Sequence, residues 1–134
     1  MANEGDQPIE LARRLLGREL EDGRDLAQVA EAGERVCQKL YGTLATLVGP
    51  LGFQTTLAYA LRHAAIRHAI LNGVEAGVGG GRCLNGLAER AQDQDPVHLL
   101  EAVVDLLGEL LSLLARLIGR DLVDGALRST WPDP

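Results

Sequence analysis

The stretch DPVHLLEAVVDLLGELLSLLARLIG, residues 95–119, decides the fold. Asp95 is a helix-capping residue type, and Pro96 suits a first helical turn, where no amide hydrogen is needed. From there Leu or Val occupies positions 97, 99, 100, 103, 104, 106, 107, 110, 111, 113, 114 and 117, with Ile at 118. Glu101, Asp105, Glu109, Ser112 and Arg116 fall three or four apart and make one narrow polar stripe on a helix that is otherwise apolar. A helix of this kind is central to its bundle or shared with another subunit. It is not a membrane span, because each central charge would cost about 2.5–3.5 kcal/mol on insertion. Gly119 breaks it, and residues 121–130 resume a shorter helix that ends before Trp131.

Working outward, three further segments carry helical periodicity. The first, Pro8 to Leu20, has Pro in its first turn, Glu10 near the positive end of the dipole, and Ile9, Leu11, Leu15, Leu16 and Leu20 at helical spacing. In the second, Asp25 to Val48, Leu26, Val29, Gly33, Val36, Leu40, Thr43 and Leu47 step by three and four. Gly33 weakens that helix by about 1 kcal/mol relative to Ala, which suggests close backbone approach to another helix. Gly49 and Pro50 end it in a tight connection, so the third segment, Phe53 to Asn72, is expected to pack antiparallel to it. There Leu57, Leu61, Ala64, Ala65, Ile70 and Leu71 lie on or near one face. Residues 73–95, with Gly77, Gly79, Gly80 and Gly81, read as a flexible loop in which only Leu84 to Ala91 has the makings of a brief helical turn. Residues 1–7 read as a disordered start. The expectation is one all-α domain over residues 1–134, a bundle of four to five helices with a Gly-rich loop before the long fourth helix.

Composition agrees with helices. The chain is 46% hydrophobic but only 3% aromatic, so Leu and Ala must build the core. Nineteen acids against thirteen bases give a net charge of −6, and the bases are spread from Arg13 to Arg128. That distribution argues against a nucleic-acid partner, since a phosphate backbone repels such a chain unless its bases are concentrated on one face. Twelve of the bases are Arg, a bias that points to a GC-rich genome rather than to chemistry. The polar, acidic N-terminus lacks the basic and apolar blocks of a secretory signal, so a cytoplasmic location with Cys37 and Cys83 reduced is expected.

Residues with chemical potential do not converge. His63 and His68 are five apart, about 140° around a helix, and lack the i, i+4 spacing of helical metal ligands. No Glu-x-x-His motif accompanies these two or His98. No metal or other cofactor is indicated. Cys37, on the seam of the second segment, reads as a small buried hydrophobe. Cys83 sits beside Arg82, whose charge would lower a thiol pKa, yet no general base accompanies it. The Gly-rich run 77–81 lacks the preceding strand and the Gly-Lys-Ser/Thr ending of a phosphate loop. Trp131, the only indole, reads as an anchor for the C-terminal helix, with a partner hot spot as the sharper alternative.

Three blocks, CQKLYGTLATLVGPLGF (37–53), LLARLIGRDL (113–122) and Trp-Pro-Asp at 131–133, resemble a group of small bacterial all-helical proteins that share this order of blocks. The resemblance implies a bacterial source and a shared helical fold, and brings no activity with it. Taken together, the sequence points first to a non-enzymatic interaction, adaptor or regulatory protein. Its expected form is a homodimer with Leu106, Leu107, Leu110, Leu114 and Trp131 at the interface. A sensor holding an apolar ligand between the third and fourth segments is the alternative. An enzyme using Cys83 or the histidines comes third.

Overall fold

The computed structural model describes residues 7–20, 25–77, 82–92 and 94–131. Among them the chain forms α1 (Gln7–Glu19), α2 (Leu26–Val48), α3 (Pro50–Arg67), a 3-10 turn (Ala69–Leu71), β1 (Glu75–Ala76), β2 (Leu84–Asn85), α4 (Leu87–Ala91), α5 (Pro96–Ile118) and α6 (Arg120–Thr130). It is an all-α bundle, with one small antiparallel hairpin that pairs Glu75 with Asn85 and Ala76 with Leu84. Among the described residues no helix is long and apolar enough to cross a membrane.

Local chemistry sets the helix ends. Asp25 caps α2 through Gln28 N–H at 2.8 Å, and Gln28 returns a bond to the Asp25 amide at 3.2 Å. Asp95 caps α5 through Val97 N–H at 2.8 Å, with Pro96 in the first turn. Both long helices stop at a glycine in the same unusual conformation, Gly49 at φ 83° and Gly119 at φ 97°. Each sends its N–H to the carbonyl four residues back, Ala45 or Ala115. A side chain at either glycine would be strained, so each reversal depends on the residue having no Cβ.

Helix α5 is the axis of the fold: α1, α2, α3 and α6 all pack on it. Central placement accounts for its apolar character, and Leu106, Leu107, Leu110 and Leu114 are fully buried in the chain's own core. These four leucines therefore do not form an open interface, because four helices of the same chain already cover them. Two close approaches tighten the packing. A Cβ at Gly33 would lie 2.9 Å from Val103 Cγ1, and one at Gly108 would lie 3.2 Å from Ile9 Cγ1.

Two expectations about the chain's organisation change. The region 73–95 is not simply a loop, since its described residues fold into the hairpin and α4, a sixth helix that buries Leu87 and Ala91. Residues 78–81 and 93 lie outside the described residues, as do 1–6 of the expected disordered start, and Gln7 already opens α1. The third segment also ends early. It breaks at His68, with φ −132° and ψ 94°, and the following turn carries Leu71 into the core.

Candidate functional site

Two carboxylates hold the fold from within. Glu34 of α2 is 3% exposed and accepts the Cys83 N–H at 2.7 Å and the Leu84 N–H at 2.9 Å. Gln38 Nε2 donates to it at 2.7 Å, and the Arg82 guanidinium stands 3.8 Å away. This carboxylate thus ties the hairpin to α2 and occupies both backbone amides. Glu19, at the end of α1, accepts from Lys39, from Arg35 Nε at 3.2 Å and from Trp131 Nε1 at 3.0 Å. Burial works to raise the Glu19 pKa. The bonds from Lys39 and Trp131, the Lys39 charge and the Arg35 bond together outweigh it, so the net shift is downward. Trp131 is 7% exposed, and Lys39 Nζ lies 5.7 Å from its ring centroid. The indole anchors the C-terminal helix as its sequence position suggested.

The thiols are poor nucleophiles. Cys37 is fully buried, and desolvation first, then the Cys83 and Glu34 charges, hold its pKa well above the usual range. Arg82, next to Cys83 in the chain, does not acidify it. Instead Cys83 is buried, and desolvation followed by the Glu34 charge pushes its pKa up to about 11. Thiolate chemistry at neutral pH is strongly disfavoured there.

The histidines are spread over separate tasks. His68 Nε2 lies 2.6 Å from Asp105 Oδ2, and Arg67 reaches Asp105 at 3.3 Å and Glu109 at 3.5 Å. The polar stripe of α5 is thus where the end of α3 docks. His63 is exposed and stacks on Tyr59 with ring centroids 4.6 Å apart, and His98 is exposed near the start of α5. No group of three metal-ligating side chains comes together among the described residues. Where an apolar ligand was considered, α3 and α5 pack directly on one another, and Leu57, Ala60 and Ala64 of α3 and Leu106, Leu107, Leu110 and Leu114 of α5 are fully buried.

What remains open is the outer face of α3. Leu51 is 72% exposed, Tyr59 45% and Ile66 82%. With exposed Thr55 and Arg62 they fall within about 80° of one another on an ideal helix and run for about 22 Å. Arg62 also lies 6.0 Å from the Tyr59 ring. Beside this ridge a groove of about 480 Å³ is lined by Thr55, Ala58, Arg62 and Ala65 of α3 and by Asn72 to Ala76. These residues lie off the apolar row Leu57, Leu61, Ala64, Ala65, Ile70 and Leu71 that marks this helix in the sequence. The signal was present nonetheless: three large apolar residues lie on the side opposite Leu57, Leu61 and Ala64. The chain matches no family model, and comparisons with curated proteins and with solved structures find no match.

Proposed function

We propose that this is a non-enzymatic interaction protein that acts as a homodimer through the outer face of α3. The observation that carries the reading is the exposed row Leu51, Tyr59 and Ile66, apolar surface that a lone soluble chain gains nothing by showing to water. The occupant is a second copy, because the row is close to self-complementary. A two-fold axis midway between Ala58 and Tyr59 sets Leu51 opposite Ile66 of the second copy. It sets Thr55 opposite Arg62, and small Ala58 opposite large Tyr59. Such pairing is what an isologous antiparallel contact requires. The adjoining groove widens the contact beyond a single helix ridge. Dimerisation through α3 would leave Leu106, Leu107, Leu110 and Leu114 of α5 inside each protomer, and it replaces the interface first expected from them. The buried free thiols suit a reducing cytoplasm, and the resemblance noted above suits a bacterial source.

Native mass spectrometry and sedimentation equilibrium at tens of micromolar test this. Fully burying an isoleucine stabilises by about 2 kcal/mol, and the dimer buries two, so Ile66→Glu is expected to weaken association about a thousandfold. Leu117→Glu, also well exposed but on α5, should leave the dimer intact. A wild-type monomer at about 50 µM, or a dimer indifferent to Ile66→Glu, overturns the proposal.

A further inference from the structure

We infer that the protein is one helical hairpin used twice, α2–α3 and α5–α6, with the copies docked on each other about a pseudo-two-fold axis between α2 and α5. The inner face of each hairpin is a surface that takes a second copy of that hairpin. An offset of 70 residues relates the copies, and the two ends of the long helices set it independently. Asp25 and Asp95 cap them, Gly49 and Gly119 end them, and each runs for 23 residues. With the ends matched, the burial pattern has no freedom to slide. Eight of the nine buried residues of α2 have a buried counterpart 70 positions on, and the ninth, Ala30, matches half-buried Leu100. The register continues past the glycines, where buried Phe53, Leu57 and Leu61 match buried Val123, Leu127 and Trp131. Sequence keeps a trace of it in LATLVG at 44–49 and LARLIG at 114–119.

Packing obeys the same symmetry. The Thr43 hydroxyl of α2 lies 2.5 Å from that of Thr130 in α6, the helix that returns along α5 from Gly119. The two long helices therefore run parallel, and their glycine reversals share one end of the bundle. A Cβ at Gly33 would lie 2.9 Å from Val103, its own equivalent. Residues meet their own equivalents only close to a two-fold axis. Around that axis α3 packs on α5 and α6 on α2. Likewise α1, ahead of the first copy, packs on α5, and α4, ahead of the second, packs on α2. The copies differ on the outside. Leu51 and Tyr59 of the open α3 face correspond to Asp121 and Ser129, so the apolar row belongs to the first copy alone.

Exchanging the pair on the axis tests the symmetry. Gly33→Val and Val103→Gly should each lower Tm by about 8 °C or more, the first by overpacking and the second by emptying a buried site. The double variant G33V/V103G sets the same pair across the axis in reverse and should recover to within about 4 °C of wild type. Gly108 and Ile9 approach similarly, with a Cβ at Gly108 lying 3.2 Å from Ile9 Cγ1, but their positions are not equivalent. The exchange I9G/G108I should therefore stay at least about 8 °C below wild type. Failure of the first exchange to recover, or equal recovery of the second, overturns the inference. A second measurement leaves the core untouched. Spin labels on exposed Ala27 and Arg116, and separately on their equivalents Val97 and Thr46, should report the same separation when each labelled chain is diluted in unlabelled protein. Clearly different separations overturn the inference whatever the exchanges do.

Discussion

Glu34→Gln leaves the shape and volume of the side chain almost untouched, yet it should unfasten the hairpin. The carboxylate presents two acceptor oxygens, one to Cys83 N–H at 2.7 Å and one to Leu84 N–H at 2.9 Å. An amide presents one acceptor and one donor. Whichever way the substituted side-chain amide turns, one backbone N–H then faces an NH2 group in a site only 3% exposed. A buried donor left unsatisfied costs about 1–3 kcal/mol, and the surviving bond loses its charge assistance, about 1 kcal/mol more. The sum, about 2–4 kcal/mol, should lower Tm by about 10 °C for a chain of this size. It should also show first where the bond was. Amide exchange at Cys83 and Leu84 should quicken by at least thirtyfold, and Cys83 should react faster with a thiol reagent, having lost part of its burial and the opposing charge of Glu34. A Tm within about 2 °C of wild type, together with unchanged exchange at the two amides, would refute the assignment of Glu34 as the anchor.

Two further outcomes test the core and the C-terminal anchor. Gly33→Ala should gain about 1 kcal/mol of helix propensity and lose more through overpacking against stiff Val103, for a net loss of about 1 kcal/mol in urea melts. In a Val103→Ala background the same change should become stabilising, and stabilisation of equal size in both backgrounds would contradict the close approach. Glu19 is held below its ordinary pKa of 4.5, so its contribution to stability is present above that value and is lost as pH falls through the lower folded-state pKa. Tm should fall between about pH 5 and pH 3, and Glu19→Gln should flatten part of that fall. An identical pH profile in the variant would refute the linkage.

Helix ends were legible because their causes are local. Asp25, the Gly49–Pro50 pair, Asp95 with Pro96, and Gly119 each act within a turn of where they stand, and each marks a boundary the structure keeps. Gly33 was legible too, as a site of close approach, though not its partner Val103. The hairpin was not, because what holds it is Glu34, distant in the chain, and a pair of two-residue strands has no alternation to read. Glu34 left a fainter trace. It lies four residues after Ala30 and three before Cys37, an acid set into an apolar row of α2. Glu19 stands similarly three residues after Leu16. Acids on a buried row signal a partner brought from elsewhere, and neither partner is visible from the row itself.

The same distinction explains why the surplus of leucine in α5 does not mark an open interface. Total hydrophobicity measures how many neighbours a helix needs, and α5 finds four within its own chain. A leftover face is a different property. It depends on whether apolar residues remain on the side that the neighbours do not reach, and α3 is less apolar than α5 yet keeps Leu51, Tyr59 and Ile66 there. Their spacing, eight and then seven residues, holds a single line along the helix, whereas scattered surface leucines such as Leu117 and Leu122 follow the ordinary incidence of exposed apolar side chains. The outer face of α3, rather than the most hydrophobic helix, is therefore where a partner has something to bury.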